Sequence, residues 1–292
     1  MRHLFPLLLL ATACEADPAE WDDTPALDDD MTSLIYGRDN RMEYYQLPTQ
    51  HRAKADAVAV MLSSSLLTRR GSNYDVYTGF KFRDAVNLCT SEPYRDQPAP
   101  GECSAFLVGP NTIATAGHCI SSSTCSGTAF VFGFRLDSAT STRSTVPSSD
   151  VYFCSSVIAR ATSSSDYALV RVDRTVTGRT PLPVRTNGTV PTGTPLVLAG
   201  HPYGIPLKIA PGGTVRENYA TDWFGANLDS YGGNSGSPVI NATNGVVEGI
   251  LVRGNNDFVR SGRCYVSATC PDTGCPGFEE ATRATRWAGY IP

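Results

Sequence analysis

From Cys103 to Val252 the chain reads as a series of short apolar runs, none longer than seven residues, with Gly, Pro, Asn and Ser frequent between them. The runs are Cys103–Val108, Thr112–Ala116, Ala129–Phe134, Tyr152–Ile158, Tyr167–Val172, Leu196–Ala199, Pro238–Ile240 and Val246–Val252. Short β-rich stretches at regular spacing between turn residues predict an antiparallel barrel or sandwich. Composition agrees: 26 Gly, 20 Pro and only 18% charged residues in 292 argue against coiled coils and helical bundles. With 41% hydrophobic residues the chain can bury a full-sized core, as one large all-β domain or two small ones. Outside the runs the pattern is less decided. Ala53–Leu62 fits a helix or a strand by periodicity alone, and a helix is expected from Glu279 to about Trp287, with acids in its first turn and Gly289 after it.

The N-terminus predicts export. Met1-Arg2-His3 precedes ten mostly apolar residues ending in Ala11-Thr12-Ala13, a run too short to span a bilayer and closed by small residues, as in a secretory signal over residues 1–13. Two readings stand for its processing: ordinary cleavage after Ala13, or a lipoprotein signal whose new N-terminal Cys14 carries lipid and attaches the protein to a membrane. The location is then secreted, periplasmic or anchored to the outer face of a bacterial membrane. Residues 14–34 read as an acidic tether and pro-segment. Eight acids against Arg2 give residues 1–30 a charge of −7, and the other 262 residues, with 23 cations against 20 anions, carry +3. So weak and scattered a positive charge excludes a nucleic-acid groove. Without Cys14, eight cysteines remain, an even set that reads as a disulfide framework with up to 105 pairings. Cys264, Cys270 and Cys275 lack the spacing of a tetrahedral zinc site, so no structural metal is expected.

Three segments carry chemistry: Ile113-Ala114-Thr115-Ala116-Gly117-His118-Cys119, Ser165-Asp166-Tyr167-Ala168-Leu169-Val170, and Gly232-Gly233-Asn234-Ser235-Gly236-Ser237-Pro238. A serine hydroxyl is a poor nucleophile at neutral pH and needs a base within hydrogen-bond reach, itself oriented by a third group. Of the four histidines, His3 lies in the signal, His51 in the undecided N-terminal part, and His201 in the turn-like Gly200-His201-Pro202-Tyr203-Gly204. His118 alone ends an apolar strand run, where its ring can be held rigidly. Asp166 opens another such run, with Asp150 and Asp173 as competitors. Ser235 sits among glycines that admit backbone conformations closed to residues with a Cβ, so that successive N–H groups can converge on one point. The bland alternatives are a packed histidine, a capping aspartate and a plain β-turn.

Together the three segments resemble the trypsin-like serine proteases, in the order His, Asp, Ser, over about half the chain. Gly-Asn-Ser-Gly-Ser-Pro is similar to the bacterial branch that includes the glutamyl endopeptidases. The resemblance implies an all-β fold of two six-stranded antiparallel β-barrels (a chymotrypsin-like double barrel) with a short C-terminal helix. It places the protease domain at residues 35–292, with the barrel boundary near 175–192. It further implies His118 as base, Asp166 as its orienting partner, Ser235 as nucleophile, and the amides of Gly233 and Ser235 as the oxyanion hole. A disulfide between Cys103 and Cys119 would fix the segment carrying His118. Such an enzyme hydrolyses polypeptides as a monomer and needs no metal or organic cofactor.

Specificity is less plainly written. Asp229, six residues before Ser235, stands where trypsin-like members keep a pocket carboxylate for substrate Lys or Arg; the alternative is a structural residue, capping a turn or paired internally with Arg253. Glutamyl endopeptidases place a histidine on the strand after the nucleophile, and Gly249–Gly254 offers none, leaving only Arg253 as a substitute. Neutral Asn234 cannot form the ion pair by which trypsin-type zymogens mature, so activation must differ. Ile35–Arg41 is similar to the region near the mature N-terminus of glutamyl-endopeptidase-like enzymes, which suggests removal of a pro-segment near residues 31–35. Two rivals are an inactive homologue serving as a binding module, and an esterase of another fold, whose serine would precede its acid and histidine.

Overall fold

The computed structural model describes residues 34–142, 144–275 and 277–292, apart from the side chains of Gln50 and His51. The expected signal, Cys14 and most of the acidic segment lie outside the described residues. Six strands form a closed antiparallel barrel: β1 (Val58–Ser63), β2 (Cys103–Gly109), β3 (Thr112–Thr115), β4 (Thr128–Phe132), β5 (Val151–Thr162) and β6 (Asp166–Val172), in the order β5-β6-β3-β2-β1-β4 with β4 closing on β5. Six more form the second barrel: β7 (Pro195–Gly200), β8 (Lys208–Glu217), β9 (Trp223–Ala226), β10 (Pro238–Asn241), β11 (Val247–Arg253) and β12 (Glu279–Arg283). Their order is β7-β10-β11-β12-β9-β8, and β7 pairs with β8 to close the ring. Met42–Glu43 adds to the outer edge of β8.

Each apolar run read from the sequence overlaps one of these strands, with Ala116, Gly133–Phe134 and Val246 just outside them. The undecided stretch is both things at once: helix α1 (Thr49–Ala55) ends just before β1 begins. Alternation is weak in β1–β4 because their residues are buried on both faces. Phe106, Phe130, Phe132, Tyr152 and Leu169 fill one barrel, while Leu198, Val215, Phe224, Val239 and Leu251 fill the other. Fully burying one such side chain contributes about 1.5–3 kcal/mol.

The helix expected from Glu279 to Trp287 is corrected. Glu279–Arg283 is strand β12, paired to β9 on one side and β11 on the other, and only two three-residue 3₁₀ turns come after it, Ala284–Arg286 and Ala288–Tyr290. Local propensity loses to barrel closure, since without β12 the edges of β9 and β11 would stand open. Its charges are matched where they fall. Glu279 accepts from the Leu34 amide, Glu280 pairs with Arg253, and the Arg283 guanidinium meets the carbonyls of Asn218 and Ala220. The chain then returns to the first barrel, where the buried Trp287 packs edge-on against Phe106. Four disulfides join Cys89–Cys264, Cys103–Cys119, Cys125–Cys154 and Cys270–Cys275.

Candidate active site

Strand register brings His118 to Asp166. β3 and β6 pair antiparallel with Thr115 opposite Ala168, so the residues just past the end of β3 lie beside the start of β6. Gly117 makes the approach feasible: a Cβ there would stand 1.9 Å from the Ala161 carbonyl oxygen and 2.9 Å from Asp166 Oδ1. His118 Nδ1 meets Asp166 Oδ2 at 2.7 Å, and the His118 backbone N–H donates to Oδ1 at 3.0 Å. One carboxylate thus grips ring and backbone together. With a carboxylate as its acceptor, Nδ1 carries the proton and Nε2 keeps its lone pair. Asp166 is held in turn, its own N–H donating to Thr282 Oγ1 at 3.1 Å. Asp150 is drawn off by Arg179 and Asp173 by Arg174, which removes both competitors.

Ser235 comes from the second barrel, in the loop between β9 and β10, and is tied to the first by the Ser104 N–H, which donates to the Ser235 carbonyl at 2.8 Å. Ser104 follows Cys103, whose disulfide reaches Cys119 next to His118, and Cys119 Sγ lies 3.8 Å from the Ser235 carbonyl oxygen. The Ser235 loop and the His118 segment therefore share one short scaffold. The Ser235 hydroxyl bonds to no group among the described residues, as is common before substrate tightens such a contact. Gly233 and Gly236 have φ of +82° and +90°, the left-handed range in which a Cβ is strained. A Cβ on Gly236 would also sit 2.0 Å from the Ser104 carbonyl oxygen. Neither the Gly233 nor the Ser235 N–H finds an acceptor among the described residues. Asn234 is buried, its amide bonded to Ser230 Oγ at 3.1 Å.

His118, Asp166, Ser235, Gly233, Cys103 and Cys119 thus gather at one place, where the barrels meet. The two suggested pocket residues do not form an open pocket. Asp229 accepts from the amides of Tyr36 at 2.8 Å and Asn40 at 3.2 Å, while Arg253 pairs with Glu280 at 3.4 Å. Burial outweighs the opposing pull of those amides and leaves the Asp229 carboxyl raised to about 6. This is the structural alternative for Asp229, with backbone amides as partners in place of Arg253. Ligand atoms of Cys103, His118 and Cys119 lie within 4.8 Å of one another, but both sulfurs are spent in a disulfide and offer no thiolate to a metal.

The description trypsin-like peptidase domain matches residues 103–250, half of the chain. The chain belongs to the trypsin-like peptidase family. This trypsin-like chain is also 30% identical over 177 residues to a glutamyl endopeptidase of Bacillus licheniformis, which is 54% of this chain and 52% of that protein. It therefore spans about half the length of that curated relative. A solved structure of a Glu endopeptidase in complex with MPD shares the fold, with a TM-score of 0.50 and 16% identity over 88% of this chain and 97% of that one.

Sequence reasoning does not find the trypsin-like site's supports: Ser104, Thr282 and the turn at His201–Gly204. His201 is buried and burial drives its ring down to about 3, so it stays neutral, with Nδ1–H donating to the Ile205 carbonyl at 3.0 Å. The Gly-His-Pro-Tyr-Gly string is the available signal, though nothing in it names a contact.

Proposed function

We propose that the chain is an exported serine endopeptidase, with residues 35–292 as its catalytic unit after a signal over 1–13 and an acidic segment over 14–34. The observation that carries the reading is the pairing of a carboxylate-held imidazole with two N–H groups lacking acceptors on either side of Asn234. Four disulfides support an oxidising destination. Polypeptides are the substrate class that the family supports.

Each residue then has a task. Ser235 Oγ attacks a peptide carbonyl as its proton passes to His118 Nε2. Asp166 steadies the imidazolium and prevents the ring from turning. The amides of Gly233 and Ser235 receive the charge that develops on the carbonyl oxygen; losing one such donor typically costs about 10²–10³ in rate. His118 Nε2 next gives its proton to the departing amine, and water releases the acyl group by the same path. With Asp229 engaged by backbone amides, a preference for Lys or Arg has no open carboxylate behind it.

The test is covalent labelling by a fluorophosphonate probe. Labelling that disappears in Ser235→Ala supports catalysis, and no labelling of the wild type favours the binding-module reading. Cleavage of a peptide library by the unlabelled protein then gives the residue preference.

A further inference from the structure

The peptide joining Gly232 to Gly233 decides where the Gly233 N–H points. In a planar trans peptide the carbonyl of one residue and the N–H of the next face opposite ways, so holding the carbonyl aims the donor. The Gly232 carbonyl accepts the Tyr203 N–H at 2.6 Å, and the Gly232 N–H donates to Asp257 Oδ2 at 2.8 Å. Gly232 is therefore gripped at both of its polar groups. Its neighbours are tight: a Cβ on Gly232 would stand 3.3 Å from Asp257 Oδ2 and 3.5 Å from the Tyr203 ring, and one on Gly233 would meet Tyr203 N at 2.5 Å. Tyr203 takes a left-handed φ of 47°, strained for a tyrosine, in order to present that N–H.

Asp257 follows β11 and is buried, and its Oδ1 has no hydrogen-bond partner among the described residues. A carboxylate hidden with half its capacity unused is costly unless it serves something nearby. The ionisable groups facing it are the Tyr203 hydroxyl and the Arg41 guanidinium. Burial outweighs the help from Gly232, Tyr203 and Arg41 and lifts its carboxyl to about 7.

We infer that Asp257 is a positioning residue of the candidate site, holding the Gly232 N–H so that the following peptide keeps the Gly233 N–H aimed at the developing oxyanion. The assignment rests on the proposed role of Gly233. Above pH 7 the carboxylate is an ionised and therefore strong acceptor; as pH falls below 7 it gains a proton and the grip weakens.

The experiment uses the full chain. It reads the fluorophosphonate labelling rate of Ser235 from about pH 5 to 9, with kcat and KM on a peptide taken from the library profile. Asp257→Ala is expected to label about 10- to 100-fold more slowly at the alkaline end, with kcat reduced and KM nearly unchanged, because aim is impaired and ground-state binding is not. Asp257→Asn keeps an oxygen acceptor of the same size. It should recover much of the alkaline rate and depend less steeply on pH than the wild type over the range in which Asp257 gains its proton, since the amide cannot gain one. A folded Asp257→Ala protein that labels within about twofold of the wild type overturns the assignment. Should that variant not fold, an Asp257→Asn profile superimposable on the wild type overturns it equally. A wild-type chain that does not label, or that labels as well with Ser235→Ala, overturns the hydrolase reading and this assignment with it.

Discussion

Replacing Ser104 with alanine removes one oxygen from the seam between the barrels, and the structure allows its effect to be worked out. The Ser104 hydroxyl accepts the His201 N–H at 2.8 Å and donates to the Gly233 carbonyl at 3.0 Å, while the residue itself is fully buried. Its backbone contacts would survive, since the Ser104 N–H still reaches the Ser235 carbonyl and Thr115 Oγ1 still donates to the Ser104 carbonyl at 2.7 Å. The loss is thus confined to two backbone groups left without partners, the His201 N–H, which is buried, and the Gly233 carbonyl, which is partly buried. Each costs about 1–3 kcal/mol, so the total is about 2–6 kcal/mol. For a chain of this size that lowers the melting midpoint by about 5–15 °C. Because the freed carbonyl belongs to Gly233, the fluorophosphonate labelling rate should fall as well, by about tenfold. Thermal unfolding under non-reducing conditions, with labelling on the same preparations, reads both effects. A midpoint and a labelling rate both equal to those of the wild type would show that the hydroxyl bridges nothing of consequence, and the seam would have to be held elsewhere.

Other perturbations have equally definite outcomes. Ser235→Ala and His118→Ala should each lower kcat by about 10⁶, with almost no further loss when combined, and additive losses would mean that the two residues act independently. Replacing Cys103 and Cys119 by serine opens a closure of 16 residues, and chain entropy puts the destabilisation at about 3 kcal/mol, measurable as a lower urea midpoint. Gly236→Ala sets a methyl 2.0 Å from a backbone carbonyl at φ +90°, so loss of soluble folded protein is expected, and an ordinary expression yield with full labelling would contradict the geometry. His201, held down to about 3 in the folded state, contributes stability that is complete above its unfolded value near 6.5 and is lost as pH falls through that window. Asp229 and Asp257, raised to about 6 and 7, act oppositely: their contribution is complete below the unfolded carboxylate value and is lost as pH rises through the folded ones. Between about pH 4 and 7 the slope of urea midpoint against pH should therefore be more negative in His201→Leu than in the wild type, and an unchanged slope would show the ring to be solvated.

The proposed triad is legible because each member sits in a string whose chemistry is local. His118 follows a glycine that alone fits against Ala161, Asp166 opens a strand run, and Ser235 lies between glycines at positive φ. The β-runs are legible for the same reason, since alternation and turn residues act over a few positions. β8 escapes a reading of local pattern because Pro211, Gly212 and Gly213 interrupt it, although pairing on both sides keeps it a strand. β12 misleads because its acids read as a helical first turn, and only closure of the second barrel makes them strand.

What sequence determined alone was therefore the alphabet of the proposed site: a histidine, an aspartate, a serine and the glycines around it, set on short antiparallel strands. Tertiary structure decided the partners. Ser104 meets Gly233 across 129 positions and Asp229 meets Tyr36 across 193, and no local pattern distinguishes a carboxylate destined for backbone amides from one destined for a substrate cation. A hydrogen bond has no sequence signature when chain closure, not local propensity, brings donor and acceptor together.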